Sequence, residues 1–185
     1  MIPYVNDLIE NPSTQITEDL LGLVDMLKKQ YSNQGKIFSI EGDLFALHGD
    51  FDNAIKAYKK ATELNPEIFT LWNALLDAYY QTKQFDLMKA SASKALSFFP
   101  FQYKVYYQLA IACFFLNELE KAQSNIDLGR TLTEPESISN AMFIALEGDI
   151  LFKLNNKAEA LVKWKEALKL GYKDPNLLEK IKSNE

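Results

Sequence analysis

One spacing constrains this chain more than any other feature: positions repeat at steps of 34, 34 and 38 residues along its 185-residue length. Phe38, Trp72, Tyr106 and Ile144 fall in one such series. Gly42, Leu76, Ala110 and Gly148 fall in another, and Ala54, Met88, Ala122 and Ala160 in a third. Phe45, Tyr79, Cys113 and Leu151 keep the same phase, as do Ala61, Ala95, Gly129 and Ala167. A fixed period between about 20 and 50 residues marks a solenoid, whose units each bury an apolar face on their neighbours. Within the first copy, Phe38, Gly42 and Phe45 recur at helical spacing, and so do Ala54, Tyr58 and Ala61, so each copy reads as two helices. Between them "HGDFD" carries the glycine of a helix stop and the aspartate of a helix start. "LNPE" closes the pair, with Asn65 expected to cap the following helix and Pro66 to fit its first turn.

The first copy matches the tetratricopeptide repeat pattern at Gly42, Phe45, Gly49, Phe51, Ala54, Tyr58, Ala61 and Pro66. The second keeps Trp72, Leu75, Tyr79, Phe85, Ala95 and Pro100. The third keeps Leu109, Leu116, Ala122 and Leu132, and the fourth Gly148, Leu154, Ala160, Ala167 and Leu170. The chain thus resembles the tetratricopeptide repeat (TPR) family over about Gly35 to Asp174. That resemblance implies an all-α fold, a right-handed α-α superhelix of four helix pairs with flanking N-terminal helices and a C-terminal capping helix.

The expected organisation is N-terminal helices in 1–34, with the character of degenerate repeat material. Four repeats follow at 35–68, 69–102, 103–140 and 141–174, and a capping helix at 175–185. Helices are expected at Pro3 to Glu10 and, behind a capping Thr17, at Glu18 to Tyr31. Glu41 and Glu147 stand where the family carries leucine, and Leu76 and Met88 exceed the family's small residues, so helix spacing should adjust there. In "RTLTEPESISN", Thr133 and Glu136 have capping-box spacing, which predicts a fourth-repeat first helix about one turn longer.

Composition narrows the function classes. Net charge is −5 with a pI near 5.1, and lysines are scattered, so no basic footprint for nucleic acid exists. The longest apolar run, Leu109 to Leu116, is too short to cross a bilayer, which takes about 20 residues, and no targeting segment is visible. The compartment is cytoplasmic by default, and exported or periplasmic if the chain is a piece of a longer protein. Cys113 reads as a buried inert thiol, and His48, the single histidine, as a residue at a helix C-terminus. No metal, cofactor or catalytic residue is expected. Aspartates one repeat apart sit on helices about 8–10 Å apart, too far to share a cation.

In the family, the first helix of each pair lines a concave groove that takes extended partner segments. Carried over, the groove residues would be Ser39, Asp43 and Ala46; Asn73, Asp77 and Tyr80; Tyr107, Ile111 and Phe114; and Ala145, Asp149 and Phe152. Asp43, Asp77 and Asp149 fill one slot, so the resemblance implies a non-catalytic module that binds a basic and apolar peptide. Ser39, Asp43, Ala74, Lys104 and Gln108 stand where relatives clamp a C-terminal carboxylate, and only Lys104 suits that task. The rival reading is a structural segment of a longer solenoid, self-associating through "FFPFQYKVYY". There Phe98 and Tyr106 are expected in the core, and Phe99, Phe101 and Tyr103 at a helix junction where burial in the core is the favoured reading and rim contacts the alternative.

Overall fold

The computed structural model describes residues 18–184, and every regular element among them is an α-helix. In chain order these are α1 (Glu18–Gln30), α2 (Gly35–Leu47), α3 (Phe51–Leu64), α4 (Phe69–Gln81), α5 (Phe85–Leu96), α6 (Tyr103–Phe115), α7 (Leu119–Arg130), α8 (Ile138–Lys153), α9 (Lys157–Lys169) and α10 (Pro175–Ser183). The expected helix at Pro3 to Glu10 and the Thr17 cap lie outside the described residues. The chain divides into two compact units, Met1–Ser91 and Ala92–Glu185, with the boundary inside α5.

In the first unit, α1 lays Val24 against Ile37, Ile40 and Leu44 of α2, with Leu23 and Leu27 alongside. In the second, α8, α9 and α10 share a core of Ala141, Ile144, Ala145, Ala160, Trp164, Ala167, Leu177 and Ile181. Cys113 is buried as expected, and His48 is the C-cap of α2.

The turn inside each helix pair is built the same way four times. Gly49, Lys83, Asn117 and Asn155 all adopt positive φ, at 75°, 58°, 62° and 66°. The next residue in each case, Asp50, Gln84, Glu118 or Asn156, donates its backbone N–H five residues back at 2.9 Å. This bond closes the helix end around a left-handed residue, a conformation that suits glycine and strains a side chain by about 1–2 kcal/mol. The Lys83 side chain is exposed, so removing it uncovers no core. Lys83→Gly is therefore expected to raise stability by about 1 kcal/mol, read as a higher urea midpoint.

Two capping expectations are corrected. Asn65 does not cap the following helix: its Oδ1 accepts from Gly35 N at 2.6 Å and so satisfies the start of α2. This works because Gly35 has no side chain, and a Cβ there would lie 2.6 Å from the Ala61 carbonyl oxygen. The inserted segment does lengthen a helix, since α8 has 16 residues against 13 in α2, α4 and α6. Its cap is Ser137, which accepts from Asn140 N at 3.1 Å, whereas the Thr133 hydroxyl donates back to the Arg130 carbonyl at 3.0 Å.

Candidate functional site

The three aspartates of the shared slot have three different environments. Asp43 accepts the Tyr58 hydroxyl of α3 at 2.7 Å. Burial pushes its pKa above the ordinary carboxylate value, and the Tyr58 hydrogen bond only partly offsets this. Burial, then the nearby Asp43 and Asp77 carboxylates, push the Tyr58 phenol far up, which places both acids within electrostatic reach of its ring. Asp77 is exposed and accepts from Asn73 Nδ2 at 2.8 Å. Asp149 is the most engaged of the three. Lys180 of α10 donates to both its oxygens at 2.6 and 2.7 Å, and Trp164 Nε1 donates at 3.0 Å.

Asp43 and Asp149 each end a Glu-Gly-Asp triplet, Glu41-Gly42-Asp43 and Glu147-Gly148-Asp149, whereas Asp77 follows Leu76. Gly42 and Gly148 leave room for an aromatic ring of the second helix: a Cβ on Gly42 would run into the Tyr58 ring, and one on Gly148 would lie 2.6 Å from Trp164 Cδ1. The same ring then offers its polar atom to the next residue, Asp43 or Asp149. The preceding glutamate reaches the helix before, and in the second triplet the helix after as well. Glu41 pairs with Lys28 of α1 at 2.7 Å, and Glu147 with Arg130 of α7 at 3.3 Å and Lys163 of α9 at 3.1 Å. For Lys28, burial works against the charge, but Glu41 and Asp25 outweigh it and hold the pKa above the ordinary lysine value. Sequence reasoning identified the glycines and missed the rest. The signal was an aromatic residue 15 positions after each Gly-Asp aspartate, Tyr58 and Trp164, where the Asp77 and Ile111 series has Ala92 and Ile126.

The other groove candidates fall within the two units as follows. In the first, Ser39, Ala46 and Asn73 are half-buried, and Tyr80 is 42% exposed with its ring edge-on to Phe85 at 6.3 Å. In the second, Tyr107 is half-buried, with its ring 5.4 Å from that of Phe143 and its hydroxyl hydrogen-bonded with that of Tyr172, whose pKa burial raises. Ile111 and Phe114 are half-buried, and Lys153 Nζ lies 4.7 Å from the Phe114 ring centroid. Phe152 is 38% exposed, 5.4 Å from the Trp164 ring, while Ala145 is buried. Lys104 is exposed at the start of α6.

In the aromatic stretch the expected assignment is partly reversed. Phe98 is 41% exposed rather than in the core, and Phe101 is 82% exposed. Tyr106 is half-buried, its hydroxyl donating to the Pro100 carbonyl at 3.1 Å, as Trp72 Nε1 donates to that of Pro66 at 2.7 Å. Among the described residues, no group of three or more His, Cys, Asp or Glu side chains could hold a metal ion, and no helix is long and apolar enough to cross a membrane.

The electrostatics of Asp43 carry a sign. Its folded pKa is raised, so the folded chain disfavours the ionised carboxylate, and this cost is present above the folded pKa. It fades as pH falls through the folded value toward the unfolded one. Asp43→Asn keeps an acceptor for Tyr58, and it is expected to leave stability equal or higher at neutral pH and to lose any such gain near about pH 3. Urea midpoints at the two pH values check this; a marked loss at neutral pH would contradict it.

Comparison with known proteins places this geometry in context. Residues 42–83 match the TPR repeat family model and residues 69–101 the tetratricopeptide repeat model. Among solved structures, MamA 41-end from Desulfovibrio magneticus RS-1 is 20% identical with a TM-score of 0.69, covering 83% of this chain and 84% of that one. YrrB, described as a TPR protein with an unusual peptide-binding site, is 17% identical with a TM-score of 0.73, over 98% and 87%. A thermophilic TPR protein in Thermus thermophilus is 15% identical with a TM-score of 0.68, over 89% and 88%. No curated protein sequence matches. At these identities the likeness shows the fold, an all-helical solenoid of paired helices.

Proposed function

From a chain that belongs to the tetratricopeptide repeat family through its matched repeats and its fold, we propose a non-catalytic protein-interaction module that takes an extended basic and apolar segment. The observation that carries this reading is the face of α4, where Asp77 and Tyr80 are both exposed less than one turn apart, and burial, then Asp43 of α2 and Asp77, raise the pKa of Tyr58. In the second unit, Phe114 and the partly exposed Phe152 supply apolar contacts on α6 and α8. Exposed ion pairs contribute only about 0–1 kcal/mol each, so aromatic burial would supply most of the affinity and charge the orientation and association rate.

The test is a binding array of short peptides in which basic-apolar and acidic-apolar sequences are matched in hydropathy. Basic peptides should be retained best, Asp43→Asn with Asp77→Asn should flatten the salt dependence, and Phe114→Ala should weaken binding more. An array on which nothing binds, or on which acidic peptides win, defeats the proposal.

A second reading has its own observation. Phe101 at 82% and Phe98 at 41% are exposed large apolar side chains at the start of the second unit, which favours self-association or docking onto other repeats. Sedimentation of the chain and of Phe101→Ser separates the two readings. A concentration-dependent dimer lost in the variant supports the second, and a monomer throughout removes it.

A further inference from the structure

We propose that Asp43 and Tyr58 form a receptor for the ammonium group of one lysine of a protein partner. The chemistry is that which Lys180 satisfies at Asp149 within the chain. The inference rests on the interaction-module reading and names its ligand.

The argument starts from register. The two Glu-Gly-Asp triplets lie 106 residues apart, and the same displacement relates Tyr58 to Trp164. It also sets α10 on α4: Leu177 and Ile181 correspond to Leu71 and Leu75, and all four are buried. Lys180 then corresponds to Ala74. In the second unit the Asp149 carboxylate thus receives a bidentate lysine from its own chain, with the ammonium also 5.7 Å from the Trp164 ring centroid. In the first unit the carboxylate and the ring are present, and the residue at the lysine position carries only a methyl group.

This equivalence is independent of the acidity of the surface. One copy of the slot is seen holding an ammonium, and the other has the same Gly-Asp-ring construction with no cation paired to it among the described residues. Among the described residues, Asp43 accepts from Tyr58, and no cation is among the influences on its titration. Its charge is partly buried, which is costly for a lone carboxylate, and a cation beside it offsets that cost. Asp77 adds a second negative charge within reach of Tyr58. An ammonium delivered from outside would therefore gain one charge-assisted hydrogen bond and the face of a phenol, as Lys180 gains a carboxylate and an indole.

Ala74→Lys tests the slot without any partner, because it installs a lysine at the position equivalent to Lys180. Carboxyl titration followed by NMR should show the Asp43 pKa drop from above its ordinary value to below it, while the uncharged Ala74→Met leaves it raised. An Asp43 titration unchanged by Ala74→Lys overturns the proposal. The partner's role is read with a short leucine-lysine peptide and its N-acetyl-lysine counterpart on the native chain. Acetylation, Asp43→Asn and Ala74→Lys should each weaken binding about tenfold, the ratio that one charge-assisted pair of about 1.4 kcal/mol supplies. Equal binding by the native chain and both variants overturns the receptor and leaves the interaction-module reading standing. A shifted Asp43 titration with no peptide bound overturns the partner's role and defeats the interaction-module reading, while the slot's affinity for an ammonium stands. Should Ala74→Lys fail to fold, the Asp43→Asn comparison on the two peptides decides alone.

Discussion

Trp164→Ala is expected to lower the stability of the chain by about 3–5 kcal/mol, the usual range for emptying a buried tryptophan site. The ring is 1% exposed, packs in the α8–α9–α10 core, and fills the space that Gly148 leaves. The gap would not close from that side, since the glycine has no side chain to offer. The substitution also removes the indole N–H from Asp149. Urea denaturation checks the size of the effect, and a loss below about 1 kcal/mol would mean the ring is not the centre of that core.

Gly42→Leu should cost about 1–3 kcal/mol by the opposite route, overpacking. Even a Cβ at this position would run into the Tyr58 ring, and that ring cannot swing away cheaply because its hydroxyl is bonded to Asp43. The second copy assigns bulk in reverse, with Leu76 and Ala92 at the corresponding positions, both wholly buried. The double variant Gly42→Leu with Tyr58→Ala is therefore expected to recover part of the single variant's loss. Urea midpoints of the single and double variants, compared as a cycle, give the coupling. Simple additivity of the two losses would show that the glycine and the ring do not share the space.

Those same residues show what could be read from the sequence. The helix pairs were legible because the period is set by apolar burial, which recurs at every copy: Ala54, Ala122, Ala160, Ala61, Ala95 and Ala167 are all wholly buried. The slot aspartates were legible as a series but not as individuals. Their states depend on what the neighbouring helix brings, tyrosine for Asp43 and tryptophan plus a lysine for Asp149, and a period alone does not identify those partners. Asn65 was misassigned for a related reason. An asparagine next to a proline has a local capping signature, yet its acceptor here meets Gly35, 30 residues away in sequence. The Phe98 error has a simpler source, since helical phase becomes undefined where α5 has ended and α6 has not begun.

The triplet has one more consequence, for how the molecule comes apart. A repeat protein behaves as a row of nearest-neighbour couplings, and the row opens wherever a coupling is weak. Through Glu41 and Asp43, α2 is pinned to the helix behind it and to the helix ahead, and through Glu147 and Asp149, α8 is pinned likewise. The sequence repeats this three-residue double fastening at no third place. Amide hydrogens of α2 and α8 should accordingly exchange last within their units, each helix acting as the seed from which its neighbours zip closed.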